Sequence, residues 1–485
     1  MNIIPPLKTT SPDYFCTWET QYGLARRIFG KAASAEAEAL AFAGDQGASR
    51  ARDALNEEAL FGRYALTSLY SEARSAMFLV LDDGWDVGYG ISPRTDKHAF
   101  GSLRLSEERF PSCTGTPAER LRALSDRIKA QGWRGLGIWV CAQKAGHGGA
   151  PFEPTEETLS DWKEKLLMSK EAGVCYWKVD WGRFAHSEDF RKTLTELGRA
   201  LYPELIIEHT FCTAPLNGDP ANGKTRFADD VKCADGARRF AAFSRVFRSY
   251  DVTPALSVST TLDRLSHLLA CDAGVVNCED ELYIGAVLGC SLGVMRSPLT
   301  GNQRLDEVTA AIRWHSVAPA FSGGQVRFSE KLKTDSFFFS PEDTWFSPAW
   351  NKLVSQSAPQ IIARNAALPE VEGEDPPYIL LSKNPSGVYS VGAIPPSSES
   401  EKQTPPRVSF EADTPPFIGV FGSFDTLTVS LAKPPKRVYV QSLIRGEARE
   451  IFPVGSRLTL SGNLLRELHT SSDGSQSAAV VKILY

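Results

Sequence analysis

The sequence predicts an α/β fold, a (β/α)8 TIM barrel followed by a C-terminal antiparallel β-sandwich. Three observations carry this expectation. Eight short apolar runs alternate with amphipathic helical segments over roughly the first 300 residues. Charged side chains stand at the ends of most of those runs. Beyond about residue 376 the pattern changes to alternating strands separated by turn residues. Several runs are continuously apolar, as strands covered by helices on both faces must be. Eight strand–helix pairs are the arithmetic of a closed parallel barrel.

The expected strands are Tyr14 to Trp18, Met77 to Leu81, Gly135 to Val140, Cys175 to Val179, Leu205 to Glu208, Arg245 to Arg248, Ala273 to Cys278 and Gly293 to Ser297. Helices between them carry recognisable ends. Leu121, Leu124 and Ile128 form one apolar stripe closed by Gly132. Thr155, followed by Glu156 and Glu157, opens a helix whose Leu159, Trp162 and Leu166 share a face, and Gly173 closes it. Ser187 caps a helix bearing Phe190, Leu194, Leu197 and Leu201. A long Ala/Glu/Arg-rich stretch, residues 21–75, reads as a helical insertion between the first and second strands. After Phe321 an amphipathic region runs through Ala367 to the acidic "EVEGEDPP" (370–377), which reads as a linker. The expected division is therefore a catalytic barrel over 1–370 and a sandwich over 376–485, with the Pro/Ser/Glu run 395–406 as a mobile loop.

Composition narrows the partners. A net charge of −5 leaves no basic footprint, so nucleic acid is not expected. No 18-residue apolar run and no charged leader with an apolar core are present, so neither a membrane span nor a signal peptide is expected. Nine cysteines without a CxxC pair read as reduced thiols of a cytoplasmic protein, with neither a disulfide framework nor a zinc site. No cofactor and no metal are expected. A homo-oligomer is compatible with the sequence but not fixed by it.

The chemistry concentrates at strand ends, where the loops of a barrel build active sites. Asp82 and Asp83 of "VLDDGW" end the second strand. Asp180 of "YWKVDWG" ends the fourth, two residues after Lys178. Glu208 ends the fifth, Arg248 and Asp251 of "FRSYD" the sixth, and Glu279 with Asp280 the seventh. Taken singly each has a bland reading, such as a solvated turn, a same-face ion pair, a loop salt bridge or a helix cap. His209 reads as a packed or hydrogen-bonded histidine. Trp85, Trp139, Trp177 and Trp181 suit either core or sugar platforms. Jointly, in register with the strands, the carboxylates point to catalysis, because like charges gathered at one mouth raise one another's pKa values and serve no packing purpose. A carboxylate pair split into nucleophile and acid/base is the equipment for cleaving a glycosidic bond. Lys178, on the same strand face as Asp180, would keep that carboxylate ionised.

In order along the chain, "CTWETQ" (16–21), "DDGW" (82–85), "YWKVDWG" (176–182) and "FRSYD" (247–251) resemble the segments that build the site of clan D glycoside hydrolases, the α-galactosidases of families 27 and 36. The stretch from "RFPSCTGTPAERL" to the third strand is similar too, so the likeness covers about residues 13–300. The resemblance implies a retaining glycosidase acting on a carbohydrate substrate. Asp180 would be the nucleophile and Asp251 the general acid/base. Asp82, Asp83, Lys178, Glu208 and Arg248, with Trp18 and Trp85, would contact the sugar. Charge-assisted hydrogen bonds from paired aspartates suit neighbouring hydroxyls. The sequence departs from family 27 in having Trp181-Gly182 after the nucleophile, in the three-residue spacing from Arg248 to Asp251, and around Glu208. These departures leave α-galactoside, α-N-acetylgalactosaminide and β-L-arabinopyranoside as alternatives. Two other classes compete: a barrel that binds oligosaccharide without cleaving it, and a metal-dependent amidohydrolase. The latter is disfavoured by only seven histidines and no His-x-His pair.

Overall fold

The computed structural model describes all residues except 29–43, 87–99, 146–150, 211–229, 250–256, 297–303, 339–352 and 398–402. Eight parallel strands close into a barrel: β1 (Tyr14–Cys16), β2 (Phe78–Leu81), β3 (Gly135–Val140), β4 (Tyr176–Val179), β5 (Ile206–His209), β6 (Val246–Arg248), β7 (Val275–Glu279) and β8 (Ser291–Val294). Pairing of β1 with β8 completes the ring. All eight expected strands are present, each shifted by no more than a few residues.

Two-residue alternation decides what faces the barrel axis. Along β4, Tyr176 and Lys178 face inward. Trp177 faces outward and donates its indole N–H to Ser169 Oγ, 3.1 Å away on the helix Glu156–Ala172. Along β5, Glu208 faces in. His209 faces out, with ring nitrogens 2.8 Å from Thr195 Oγ1 and 3.3 Å from an Arg191 nitrogen. His209 is thus a packed, hydrogen-bonded residue. The barrel floor is aromatic: the Tyr176 ring lies 5.3 Å from that of Tyr14 and 5.6 Å from that of Phe78. Gly137 makes room for this layer, since a Cβ there would lie 2.7 Å from Val80 Cγ2 and 3.0 Å from Tyr176 Cβ.

The caps read from sequence at Thr155, Gly173 and Ser187 are those observed, and a further one stands at Thr116. Thr116 and Glu119 form a reciprocal capping box on the helix Pro117–Ala130. Thr155 and Ser187 cap their helices through side-chain oxygens, and Gly173 closes the first of these with φ of 69°. The described part of the stretch between β1 and β2 is mostly helical. It holds α1 (Trp18–Ile28), α2 (Gly44–Ala54) and α3 (Glu57–Phe61), followed by two short 3-10 turns.

The sandwich packs an eight-stranded sheet against a four-stranded one around its own apolar core. Most pairings are antiparallel, while three are parallel (Ile361–Arg364 with Tyr378–Lys383, Tyr389–Ile394 with Phe417–Gly422, Arg407–Ala412 with Thr426–Leu431). Its strands begin earlier than the expected residue 376. Val326–Phe328 and Ile361–Arg364 belong to the larger sheet, and Glu370–Glu372 to the smaller. The last of these lies in the stretch read as a linker. It is a three-residue strand at the sheet's edge, where acidic side chains are tolerated and no apolar alternation develops. Part of the run expected as a mobile loop, 398–402, lies outside the described residues.

Barrel and sandwich meet across the helix Leu282–Leu288 and the helix Leu305–His315. Buried Arg364 donates to Leu288 O at 2.7 Å, to Gly323 O at 2.6 Å and to Phe321 O at 3.1 Å. A cation thereby satisfies the carbonyl end of the first helix. Trp314, fully buried, packs its ring on the backbone of Gly419, where a Cβ would come within 2.8 Å of the indole. Gly419→Ala is therefore expected to lower stability by about 1–3 kcal/mol, the range for overpacking a filled core. Urea unfolding checks it, and an unchanged midpoint would count against this contact as a junction. Beneath the barrel, Asp13 Oδ1 accepts from Leu292 N at 2.9 Å and its Oδ2 lies 2.7 Å from His315 Nδ1, which ties the start of β1 to β8 and to the helix Leu305–His315.

Candidate active site

The C-terminal ends of β2, β4, β5, β6 and β7 deliver charged side chains to one mouth. Lys178 Nζ is the hub. It donates to Asp82 Oδ2 at 2.7 Å and lies 3.6 Å from Asp180 Oδ2. Asp180 Oδ2 also accepts the indole N–H of Trp139 at 3.0 Å, and its Oδ1 accepts the backbone N–H of Trp181 at 2.8 Å. The Arg248 guanidinium lies 3.5 Å from Asp180 Oδ1, 3.6 Å from Glu208 Oε1 and 3.7 Å from Glu279 Oε1. Every one of these charged side chains is buried. The two cations sit among four carboxylates, so each carboxylate has a positive neighbour and the cluster is held in fixed geometry.

Hydroxyls and a thiol finish the inner shell of hydrogen bonds. Tyr176 donates to Glu208 Oε2 at 2.7 Å, Tyr14 to Glu279 Oε1 at 2.9 Å, and Cys16 Sγ to Asp82 Oδ2 at 2.9 Å. Asp82 is further oriented by its own turn: Thr17 Oγ1 accepts its backbone N–H, and its Oδ1 accepts the N–H of Asp83. Asp83 points to a different partner. Its Oδ2 takes a 2.6 Å hydrogen bond from Arg52 of α2.

Electrostatics follow from burial and pairing. Burial and Arg248 oppose the charge on Lys178, but Asp82, Cys16 and Asp180 outweigh them and raise its pKa, so it remains a cation. Burial pushes Glu208 up, against the opposing pull of Arg248. Burial also pushes Glu279 up to about 7, with Arg248 and Lys178 opposing it. A raised carboxyl pKa means that the folded chain retains a proton which the unfolded chain releases near 4.5. Stability should therefore fall as pH rises from about 4.5 to about 7. In Glu279→Gln that fall is expected to be smaller, measured as the urea midpoint of each protein at pH 5 and pH 7.5. Equal slopes would contradict the assignment.

Five residues named from the sequence, Asp82, Lys178, Asp180, Glu208 and Arg248, are thus joined by one chain of contacts, and Asp83 adjoins it. Trp85 is fully buried and donates its indole N–H to Trp139 O at 2.9 Å, which places it behind the wall of the mouth. Trp18 opens α1 and packs edge-on against Tyr22 at 5.2 Å. Asp251 lies outside the described residues. Sequence reasoning left Glu279 as a helix cap, Trp139 between core and platform, and Arg52 unmentioned. For Glu279 the signal was available, because it ends an apolar strand two residues beyond Asn277, the register partner of Arg248, and so shares that face. For Arg52 there was none, since it is one of several arginines in a polar helical stretch.

No protein-family model and no curated protein matches the sequence. Among solved structures, a Bacteroides fragilis protein assigned as an α-galactosidase/melibiase is similar at 10% identity and a TM-score of 0.41, over 98% of this chain and 79% of that one. The isomalto-dextranase of Arthrobacter globiformis gives 10% identity and 0.41 over 99% and 75%. An Anoxybacillus α-amylase gives 6% and 0.42 over 98% of both chains. Likeness at this distance says nothing about the reaction, so the functional reading rests on the site geometry. Among the described residues no helix is long and apolar enough to cross a membrane.

Proposed function

We propose that this chain is a glycoside hydrolase of the retaining type, α-galactosidase-like, with Asp180 as nucleophile. The observation that carries the reading is the setting of Asp180. It stands at the end of β4, where the indole N–H of Trp139 and the cations Lys178 and Arg248 converge on its two oxygens. That setting suits a carboxylate that must be ionised and fixed in rotamer.

In the first step Asp180 attacks the anomeric carbon while the acid/base, assigned to Asp251 on the sequence pattern, protonates the departing oxygen. A covalent glycosyl-enzyme results. In the second step Asp251 removes a proton from water, which displaces Asp180 and releases the sugar with its configuration retained. Asp82, locked by Lys178, and Asp83, locked by Arg52, supply acceptors for sugar hydroxyls. Neutralising Asp180 on glycosylation would remove the attraction that Lys178 and Arg248 feel, which favours reversal of the covalent step by water.

A nitrophenyl glycoside panel tests this: α-galactoside, α-N-acetylgalactosaminide, β-L-arabinopyranoside and α-glucoside, with the product anomer followed by NMR. Turnover of one glycone with retained configuration supports the reading. Inverted product, or silence across the panel, rejects it.

A further inference from the structure

The helical insertion between β1 and β2 reaches the mouth, and its Arg52 is the contact. The backbone of α2 lies directly on the Asp82-Asp83-Gly84 turn. Gly84 has φ of 114°, and a Cβ there would lie 2.9 Å from both Cα and Cβ of Arg52. Gln21 of α1 bridges the two segments, donating to Ala51 O at 3.2 Å and to Asp83 O at 3.0 Å. Arg109 secures the same turn by donating to Gly84 O, and it pairs with Asp53 of α2 at 3.4 Å. The Arg52 guanidinium lies 4.7 Å from the centre of the Phe100 ring. Phe100 in turn packs edge-on against Trp181 at 5.3 Å and Trp139 at 6.4 Å, the latter being the indole that holds Asp180.

This buried pair is incompletely used. Arg52 and Asp83 are 5% and 1% exposed. One hydrogen bond joins them. Among the described residues, Asp83 Oδ1 and Arg52 Nε and Nη1 have no hydrogen-bond partner. Unpartnered donors and an unpartnered acceptor on one ion pair are costly to bury unless something else completes them. A sugar hydroxyl is the complement of both, because it accepts one N–H and donates one O–H at a single oxygen.

We propose that Arg52 is a substrate-binding residue, forming with Asp83 one donor–acceptor site for a hydroxyl of an uncharged sugar ring. The α2 insertion is then an active-site element. This rests on the glycosidase reading and extends it to a residue outside the barrel strands. The site selects a hydroxyl over an ammonium group, which Arg52 repels, and over a deoxy position, which leaves the pair unsatisfied.

A second consequence separates binding from scaffolding. Asp83 faces Arg52 of α2, Asp82 and Asp180 at the strand ends, and Asp86, Arg109 and Cys141. Burial raises the pKa of Asp83, Arg52 lowers it, and Asp82 and Asp180 raise it further. With Arg52 replaced by an uncharged side chain, Asp83 holds its proton to higher pH. The acid limb of kcat/KM, which needs ionised Asp83, then moves upward in pH.

The experiment is kinetics of wild type, Arg52→Met and Arg52→Lys on the panel glycoside that wild type cleaves. Arg52→Met is expected to raise KM at least tenfold with kcat within about threefold, and to shift the acid limb of kcat/KM to higher pH. Arg52→Lys, which keeps the charge but not the fork of donors, should raise KM and leave the acid limb in place. It decides the matter alone if the Met variant does not fold. Unchanged KM in the variants, or a loss confined to kcat with an unshifted pH profile, overturns the inference while leaving the glycosidase reading intact. A wild type silent on the whole panel overturns both.

Discussion

Asp180→Asn is expected to hydrolyse the preferred nitrophenyl glycoside on the order of 10⁴-fold more slowly than wild type, a loss of ~5.5 kcal/mol of transition-state stabilisation. The amide is nearly isosteric and keeps the Trp139 contact, so the protein should fold and bind sugar. What it loses is the charge that attacks the anomeric carbon and that Lys178 and Arg248 face at 3.6 and 3.5 Å. A companion variant, Asp180→Gly, opens space on that side of the ring. Azide added to it should restore turnover and yield a glycosyl azide of the opposite anomeric configuration, because the small anion attacks from the nucleophile's face. Recovery of that product by NMR identifies the missing group as a nucleophile. Rescue with no azide adduct would assign Asp180 a different role.

Lys178→Met is expected to be the most damaging single change to stability at the mouth, at about 3–5 kcal/mol. Removing one member of a buried ion pair strands the other, and here Asp82 would lose its 2.7 Å partner while remaining buried. Activity should vanish with it, since the same ammonium group faces Asp180. The double variant Lys178→Met/Asp82→Asn should recover much of the stability without recovering turnover. Urea unfolding of the single and double variants forms the test cycle. A single variant as stable as wild type would mean that Asp82 finds another cation, and the hub role of Lys178 would be abandoned.

The barrel was legible because its strands are nearly all apolar and its helices carry local caps. Thr116, Thr155 and Ser187 fix helix starts by hydrogen bonds within three residues, information that a single chain segment contains. The strand-end carboxylates were legible for the same reason, since period-two alternation puts Lys178 and Asp180 on one face. Arg52 was not, because its partner Asp83 is 31 positions away and only the packing of α2 on Gly84 brings them together. The start of the sandwich was hidden likewise. Val326–Phe328 and Glu370–Glu372 are three-residue strands recruited by pairing, too short to declare a period of their own. Trp85 illustrates the reverse error of emphasis. An aromatic beside two aspartates suggests a sugar platform, yet it is buried and its N–H is committed to Trp139 O.

The central claim is a covalent intermediate on Asp180. The most direct measurement is labelling with a galacto-configured cyclophellitol epoxide, an electrophile that traps retaining nucleophiles, followed by intact mass and peptide mapping. The account predicts one label per chain, carried by the peptide that contains Asp180, blocked by excess substrate and absent from Asp180→Asn. An active enzyme that takes up no label, or that carries it on another carboxylate, would contradict the account.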